Sequence, residues 1–141
     1  SMDFRLLTAA LLATATLGSC GSGGNADRSV VREVQGGVNP YLWRATLDTL
    51  ESLPLAEQPD PVGGVILYDW KSYEDAPEER IKATVYILDT RLRADGVKVS
   101  VFRQVQRDGT WQDAPTDPAT ATQLENRILE RARRLKAAEI S

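Results

Sequence analysis

The sequence predicts an α+β domain in which two helices cover one face of an antiparallel sheet. Apolar residues recur at helical spacing near both ends of the domain, and three stretches between them alternate apolar with polar residues. Alternation of period two is typical of strands with one buried face, and two Asp-Gly pairs supply tight turns. The predicted order is therefore helix, a three- or four-stranded meander and helix, packed in two layers around one core.

The first helix is predicted to begin at Asn39-Pro40, because Asn is a favoured N-cap and Pro is well accommodated in the first helical turn. It continues through residues 41–53, and Pro54 ends the pattern because it cannot extend a helix. Its apolar face is formed by Trp43, Leu47 and Leu50.

The three predicted strands cover Val65–Trp70, Arg80–Asp89 and Val97–Val105. The first is rich in β-branched and aromatic residues, and the other two alternate regularly. Asp108-Gly109 predicts a turn after the third strand, and residues 110–112 then form the start of a fourth. The residues expected to face the helices are Val65, Leu67, Ile81, Val85, Ile87, Val97, Val99 and Val101.

The last helix is predicted to begin at Asp117-Pro118 or at Thr120, where Gln123 would complete a capping box. Its buried stripe consists of Ala121, Leu124, Ile128, Ala132 and Leu135. Cations crowd its second half, where they complement the helix dipole; they are Arg127, Arg131, Arg133, Arg134 and Lys136. Two interpretations of this cluster stay open, a solvated helix face and a patch that binds anionic headgroups.

The N-terminal part of the sequence has the pattern of a bacterial lipoprotein signal. An apolar run follows Arg5, ends at Leu17 and leads through two small residues to Cys20, the single cysteine of the chain. This run is shorter than the roughly 20 apolar residues that a membrane-spanning helix needs. We expect cleavage before Cys20 and attachment of lipid to its thiol; an ordinary secretory signal and a buried core helix are the alternatives.

This interpretation divides the chain into residues 1–19 as signal peptide, residues 20–37 as a flexible tether rich in Gly and Ser, and residues 38–141 as a single α+β domain. In the best-known sorting rule of bacterial lipoproteins, an Asp directly after the lipidated Cys favours the inner membrane. This chain has Gly21 at that position. The expected location is therefore the periplasmic face of the outer membrane, with the protein held to the bilayer by its lipid.

Composition argues against several classes of function. The formal net charge is −3 and the chain contains no His, which disfavours nucleic-acid binding and removes histidine from every catalytic or metal-binding scheme. The acidic residues Glu74, Asp75, Glu78 and Glu79 suggest calcium binding, but their spacing fits no EF-hand and a solvated loop explains them. We expect no enzymatic activity and no cofactor beyond the covalent lipid on Cys20.

The sheet face opposite the predicted core is the best candidate for a functional surface. It would present aromatic residues among polar ones, a mixture that suits a protein-binding patch. The alternative is that these aromatics pair with one another across the strands. The candidate partner-binding residues are Tyr68, Trp70, Tyr86 and Phe102.

Two family resemblances are carried by particular stretches of the chain. The run GVNPYLWRATLDTL at 37–50, with GGVI at 63–66, YIL at 86–88 and VSVFRQ at 99–104, is similar to a family of alphaproteobacterial lipoproteins of uncharacterised function. The order of elements, with a Trp on the first helix and a strand ending in Asp69-Trp70, resembles the helix-grip domain of BamC, a lipoprotein of the machinery that folds outer-membrane β-barrels. BamC carries two such domains and a long segment that grips its partner, whereas this chain has one domain and a short tether, so no functional residue is transferred.

Together these observations predict a lipid-anchored, non-enzymatic interaction module that binds another protein of the cell envelope, with outer-membrane protein assembly as a candidate process. The alternative function is a periplasmic carrier of small apolar ligands, since helix-grip folds enclose such ligands elsewhere. A pocket between the last helix and the sheet would favour the carrier, and a filled core would favour the interaction module. The oligomeric state stays open at this point.

Overall fold

The computed structural model describes residues 37–140, so the predicted signal peptide, Cys20 and residues 20–36 of the tether lie outside the described residues. The two helices are α1 (Pro40–Thr49) and α2 (Pro118–Ile140). The strands are β1 (Val65–Leu67), β2 (Lys71–Tyr73), β3 (Ala76–Ile87), β4 (Val97–Arg107) and β5 (Thr110–Ala114). The predicted α+β class is confirmed, and this part of the chain forms an antiparallel sheet of five strands rather than three or four.

The long strand β3 organises the sheet. It pairs with β4 along one side, and β5 follows beyond β4. Along its other side β3 pairs first with β2, near its beginning, and then with β1, near its end. Since β1 and β2 lie on the same side of β3, they act as two pieces of one interrupted strand, in an arrangement that is consistent with a helix grip.

The interruption corrects the prediction of one strand over Val65–Trp70. Strand β1 ends at Leu67, the Tyr68 N–H still donates to the Ala83 oxygen at 2.9 Å, and strand pairing with β3 resumes at Lys71. The register then shifts between Lys71 and Tyr73. The predicted acidic loop is also wrong in part, because Tyr73 pairs with Ala76 and β3 already begins there. Only Glu74 and Asp75 form the turn.

The pairing also corrects which side of the first strand is buried. Ile66 lies opposite Val85, and both are completely buried, whereas the predicted core residues Val65 and Leu67 are only half-buried. Every residue of this segment except Asp69 is apolar or aromatic, so its own alternation could not decide the face. The register against β3 decides it instead.

The core lies between one face of the sheet and the two helices, which contact each other, β3 and β4. Predicted core residues such as Trp43, Val85 and Ile128 are buried, while Leu47, Leu124 and Leu135 lie at its margin. The buried apolar residues are Leu42, Trp43, Ala45, Leu50, Leu53, Ile66, Tyr68, Ala83, Val85, Ile87, Val97, Val99, Ile128, Leu129 and Ala132.

Side-chain caps start both helices where the sequence offers them. The Asn39 Oδ1 atom accepts the backbone N–H groups of Tyr41 and Leu42 at 3.0 and 2.9 Å. At α2, Asp117 Oδ1 accepts the N–H of Ala119 at 2.9 Å, so the helix begins at the first of the two predicted positions. The first helix ends at Thr49 and not at residue 53, where its end was predicted from the sequence. Leu50 and Leu53 nevertheless remain in the core.

Candidate interaction surface

The sheet face that points away from the helices, here called the open face, is the candidate functional surface. Strand register places alternate residues of β3 and β4 on it, and Lys82 lies opposite Phe102 there. The hairpin between β4 and β5 places Trp111 opposite Gln106, and therefore on the same face. The chain segment between β1 and β2 brings Trp70 over the basic side chains of β3.

Arg80 lies between two tryptophans on the open face. Its guanidinium carbon is 4.7 Å from the ring centroid of Trp70 and 4.3 Å from that of Trp111. Both distances are within the range in which a cation is attracted by the electron-rich face of an aromatic ring. Contact with both rings restricts the movement of the guanidinium.

Lys82, two residues after Arg80 on β3, makes the same kind of contact. Its Nζ atom is 4.9 Å from the ring centroid of Trp70 and 5.4 Å from that of Phe102. Trp70 therefore contacts two cations, and aromatic and basic side chains alternate across the face. We call this set the aromatic–cation row; in spatial order its members are Trp111, Arg80, Trp70, Lys82 and Phe102.

A chain of polar contacts fixes the end of the row near β5. The Nε and Nη2 atoms of Arg80 donate to Gln104 Oε1 at 2.8 and 2.6 Å. The Nε2 atom of Gln104 donates to Asp113 Oδ1 at 2.9 Å. These bonds connect β3, β4 and β5 through side chains, so hydrogen bonds hold the guanidinium in place in addition to its contacts with the two rings.

The open face carries cations whose charge is not neutralised by the described part of the chain. Within residues 37–140, no carboxylate lies at ion-pair distance from Arg80, Lys82 or Lys98. The acceptor for Arg80 is the neutral amide of Gln104. Phe102 is 45% exposed and Tyr86 is 39% exposed, so apolar surface and positive charge are offered side by side.

The four predicted candidate residues separate into two groups. Trp70, Tyr86 and Phe102 lie on the open face, but the placement of Tyr68 there is wrong. Tyr68 is 3% exposed, and its hydroxyl lies 3.5 Å from the backbone oxygen of Thr46 on α1. Burial raises the pKa of this phenol to about 12, because the charged form would have to lose its hydration.

Sequence reasoning missed Arg80 and Trp111 as members of the surface. The signal for Trp111 was present, because the two-residue turn at Asp108-Gly109 fixes the register of β5 against β4. Counting from that turn places Trp111 on the face of Phe102. The proximity of Arg80 to Trp70 could not be counted in this way, since it depends on the interruption between β1 and β2.

The other predicted charged clusters are arranged differently. In the described part of the chain, no group of three or more acidic or Cys side chains is close enough to hold a metal ion. Glu79 forms an ion pair with Arg103 on the face of the sheet that carries the helices. On α2, Arg131 pairs with Asp48 of α1 at 3.0 Å and Arg134 pairs with Glu130 at 3.1 Å, so part of the cationic cluster is neutralised.

Two depressions lie on the helix side of the domain. The pocket between α2 and the sheet has a volume of about 210 Å³ and reaches Leu53, Val101 and Leu124. Small-molecule sites usually measure about 300–1,000 Å³. A larger depression of about 590 Å³ lies between the helices, but charged residues such as Asp48, Arg127 and Glu130 line it. Neither has the size and apolar lining expected of a carrier.

The fold and the surface define an α+β domain with an open, aromatic and basic sheet face. The chain belongs to the family described as Domain of unknown function (DUF3576), whose pattern matches residues 36–137. It is 33% identical over 96 residues to the uncharacterized protein RP420 of Rickettsia prowazekii (strain Madrid E). That match covers 68% of this chain and 57% of the relative, and no solved structure matches the chain significantly.

These comparisons confirm the expected membership in an uncharacterised alphaproteobacterial family. The resemblance to BamC and the lipid anchor stay predictions. Among the helices of residues 37–140, none combines the length and the apolar character needed to cross a membrane.

Proposed function

We propose that this protein is a non-enzymatic binding module of the cell envelope and that its open face docks a protein partner. The observation that supports this most directly is the aromatic–cation row, in which two cations are held between aromatic rings on a sheet face that the helices leave uncovered. Aromatic and Arg side chains dominate the binding energy of protein interfaces.

Charge complementarity determines the kind of partner segment that we propose. The cations of the open face lack ion pairs within the described part of the chain, so a segment bearing carboxylates would find partners for them. Arg80 offers its remaining N–H groups in a fixed orientation, which suits a carboxylate acceptor. The exposed ring of Phe102 then contacts apolar atoms of the same segment.

The anchor and the location complete the proposal. A lipid on Cys20 would hold the domain at the periplasmic face of the outer membrane through the tether of residues 20–37. There the open face would meet other envelope proteins, and outer-membrane protein assembly is the process that the resemblance to BamC suggests. Growth with a labelled fatty acid tests the anchor, because Cys20→Ser should abolish incorporation and label retained by that variant would contradict it.

Transport of small apolar ligands is less well supported. The pocket between α2 and the sheet is smaller than most ligand sites, and the core beneath it is filled by Leu50, Ala83 and Ile128. We therefore place the function on the open face rather than between helix and sheet.

Capture of crosslinked partners by variants of the open face tests the proposal. Phe102→Ser and Lys82→Glu should each remove the same crosslinked protein, because one deletes an exposed ring and the other reverses a charge. Val62→Ser is the matched control, since Val62 is 71% exposed but lies in the loop before β1. Capture that survives both open-face variants, or is lost equally in the control, would contradict the proposed surface.

A further inference from the structure

The strand β5 forms a free edge of the sheet. It is joined to β4 by a two-residue turn in which Asp108 and Gly109 have φ angles of 52° and 77°. Positive φ at both positions defines a type I′ turn, which closes on a hydrogen-bonded pair, here Arg107 with Thr110. Hydrogen-bonded and non-bonded pairs alternate along an antiparallel ladder. The backbone N–H and C=O groups of Trp111 and Asp113 therefore point away from β4, toward the free edge.

On the opposite side of the sheet, the edge formed by β1 is covered. The segment after α1 runs along β1, where the Ala56 N–H donates to the Leu67 oxygen at 2.8 Å and Asp60 bridges to Val65. No such cover is present for β5 among the described residues. Edge strands are usually protected by Pro, Lys, bulges or covering segments, and β5 has only its short length and one charge, Asp113.

We propose that β5 pairs with β5 of a second copy of this chain, antiparallel and centred on Gln112. In this register Trp111 lies opposite Asp113 of the second copy, and the reverse pair forms by symmetry. All the outward N–H and C=O groups of both residues are then used, in four backbone hydrogen bonds. The contact is self-complementary, as a two-fold interface requires.

Charge supports this register and a second copy as the occupant. Centring the pair on Asp113 would place two carboxylates directly opposite each other, which is unfavourable. Centring it on Gln112 instead places each Asp113 opposite the uncharged Trp111 of the other copy, so a second copy fits this edge without repulsion between like charges.

Pairing of this kind would join two sheets into one. A two-fold axis perpendicular to the sheet places both open faces on the same side and both helix layers on the other. The principal helix contacts are with β3 and β4, so the helices leave β5 accessible for pairing. The pairing is independent of the proposed docking function, because it concerns the strand edge and not the face.

A disulfide test reads the register directly. In a chain carrying Cys20→Ser, the substitution Gln112→Cys places two thiols in a non-hydrogen-bonded pair, with Cα atoms about 4.5 Å apart. That separation is suitable for a disulfide. Thr110→Cys is the matched control, since its two copies would lie about 13 Å apart along the strands. Mild oxidation should give a covalent dimer of Gln112→Cys and leave Thr110→Cys monomeric. Absence of the dimer, or equal crosslinking of both variants, would overturn the proposal.

A second pair of variants tests the backbone bonds by sedimentation. Asp113→Pro removes an outward N–H while leaving the bonds to β4, and it should abolish a concentration-dependent dimer. Asp113→Ala removes the side chain and keeps the N–H, so it should retain the dimer. Phe102→Ser, which alters only the open face, should also retain it. A monomer at every concentration in the unsubstituted chain, or a dimer in Asp113→Pro, would contradict the pairing.

Discussion

Tyr68 illustrates how burial determines the chemistry of a single side chain. Its phenol is 3% exposed and its pKa is raised from 10.0 to about 12 by the loss of hydration that ionisation would require. The unfolded chain releases this proton near pH 10 and the folded chain releases it near pH 12. The free energy of unfolding therefore falls as the pH rises from 10 to 12, because the unfolded state binds fewer protons than the folded state in that interval.

The corresponding prediction concerns alkaline stability. Between pH 10 and pH 12, the free energy of unfolding should fall by about 2–3 kcal/mol more in the unsubstituted chain than in Tyr68→Phe. Chemical denaturation at a series of pH values measures the difference. Parallel losses of stability in the two proteins would show that Tyr68 ionises normally in the fold.

Gly64 is required by both its backbone angle and its surroundings. Its φ is 74°, and an added Cβ would lie 2.6 Å from the Ile87 backbone oxygen and 2.8 Å from Val38 Cγ1. Gly109 also has a positive φ, of 77°, but nothing lies within 4 Å of its Cβ position. Substitutions at these two positions therefore distinguish the cost of a steric clash from the cost of the backbone conformation alone.

We expect Gly64→Ala to lower the free energy of unfolding by more than about 2 kcal/mol, because strain and overpacking combine. Gly109→Ala should cost about 1 kcal/mol, the penalty for placing a side chain in the left-handed region. Urea denaturation of both variants provides the comparison. Equal losses of stability in the two variants would mean that the close approach of Gly64 to β3 adds no steric cost to the substitution.

At the scale of elements, Asn39 connects a helix cap to the sheet. Its side chain caps α1, its Nδ2 atom donates to the Thr90 oxygen at 3.2 Å, and its backbone N–H donates to the Asp89 oxygen at 3.1 Å. Asp89 Oδ1 in turn accepts the N–H of Arg91, and this hydrogen bond lowers the pKa of Asp89. One short segment thereby positions α1 against the loop that joins β3 and β4.

Asn39→Ala should lower the free energy of unfolding by about 1–2 kcal/mol, because it removes the cap and leaves buried backbone groups without partners. Asp117→Ala, at the more exposed cap of α2, should cost about 0.5–1 kcal/mol. Thermal or urea unfolding measures both. A smaller effect for Asn39→Ala than for Asp117→Ala would contradict its connecting role.

Elements with strong local signals could be predicted from the sequence, and elements defined by pairing could not. The caps of both helices, the alternating strands β3 and β4 and the turn before β5 follow from nearby residues. The interruption between Leu67 and Lys71 depends instead on the segment after α1, which is distant in sequence, because the Pro54 oxygen accepts the Asp69 N–H at 2.8 Å. Tyr68 lies in the core for a different reason, because the register of β1 against β3 places Ile66, and with it Tyr68, on the helix side of the sheet.

At the scale of the whole molecule, the domain has two unlike sides. The helix side holds the filled core and paired charges, while the open face combines exposed rings with cations that lack ion pairs among residues 37–140. The sequence suggested an aromatic face but did not show that Arg80 and Lys82 would be held between its rings. Attraction between this face and a carboxylate-bearing partner predicts that binding weakens as salt is added, because mobile ions screen exposed charges.

Site-specific photocrosslinking in intact cells is the most direct measurement of the proposed docking. A photoreactive residue in place of Phe102 should give one adduct of defined mass, and that adduct should disappear when Lys82→Glu is added. The same photoreactive residue in place of Val62, which is exposed but lies in the loop before β1, should not give it. No adduct from position 102, or the same adduct from both positions, would contradict a role for the open face in binding.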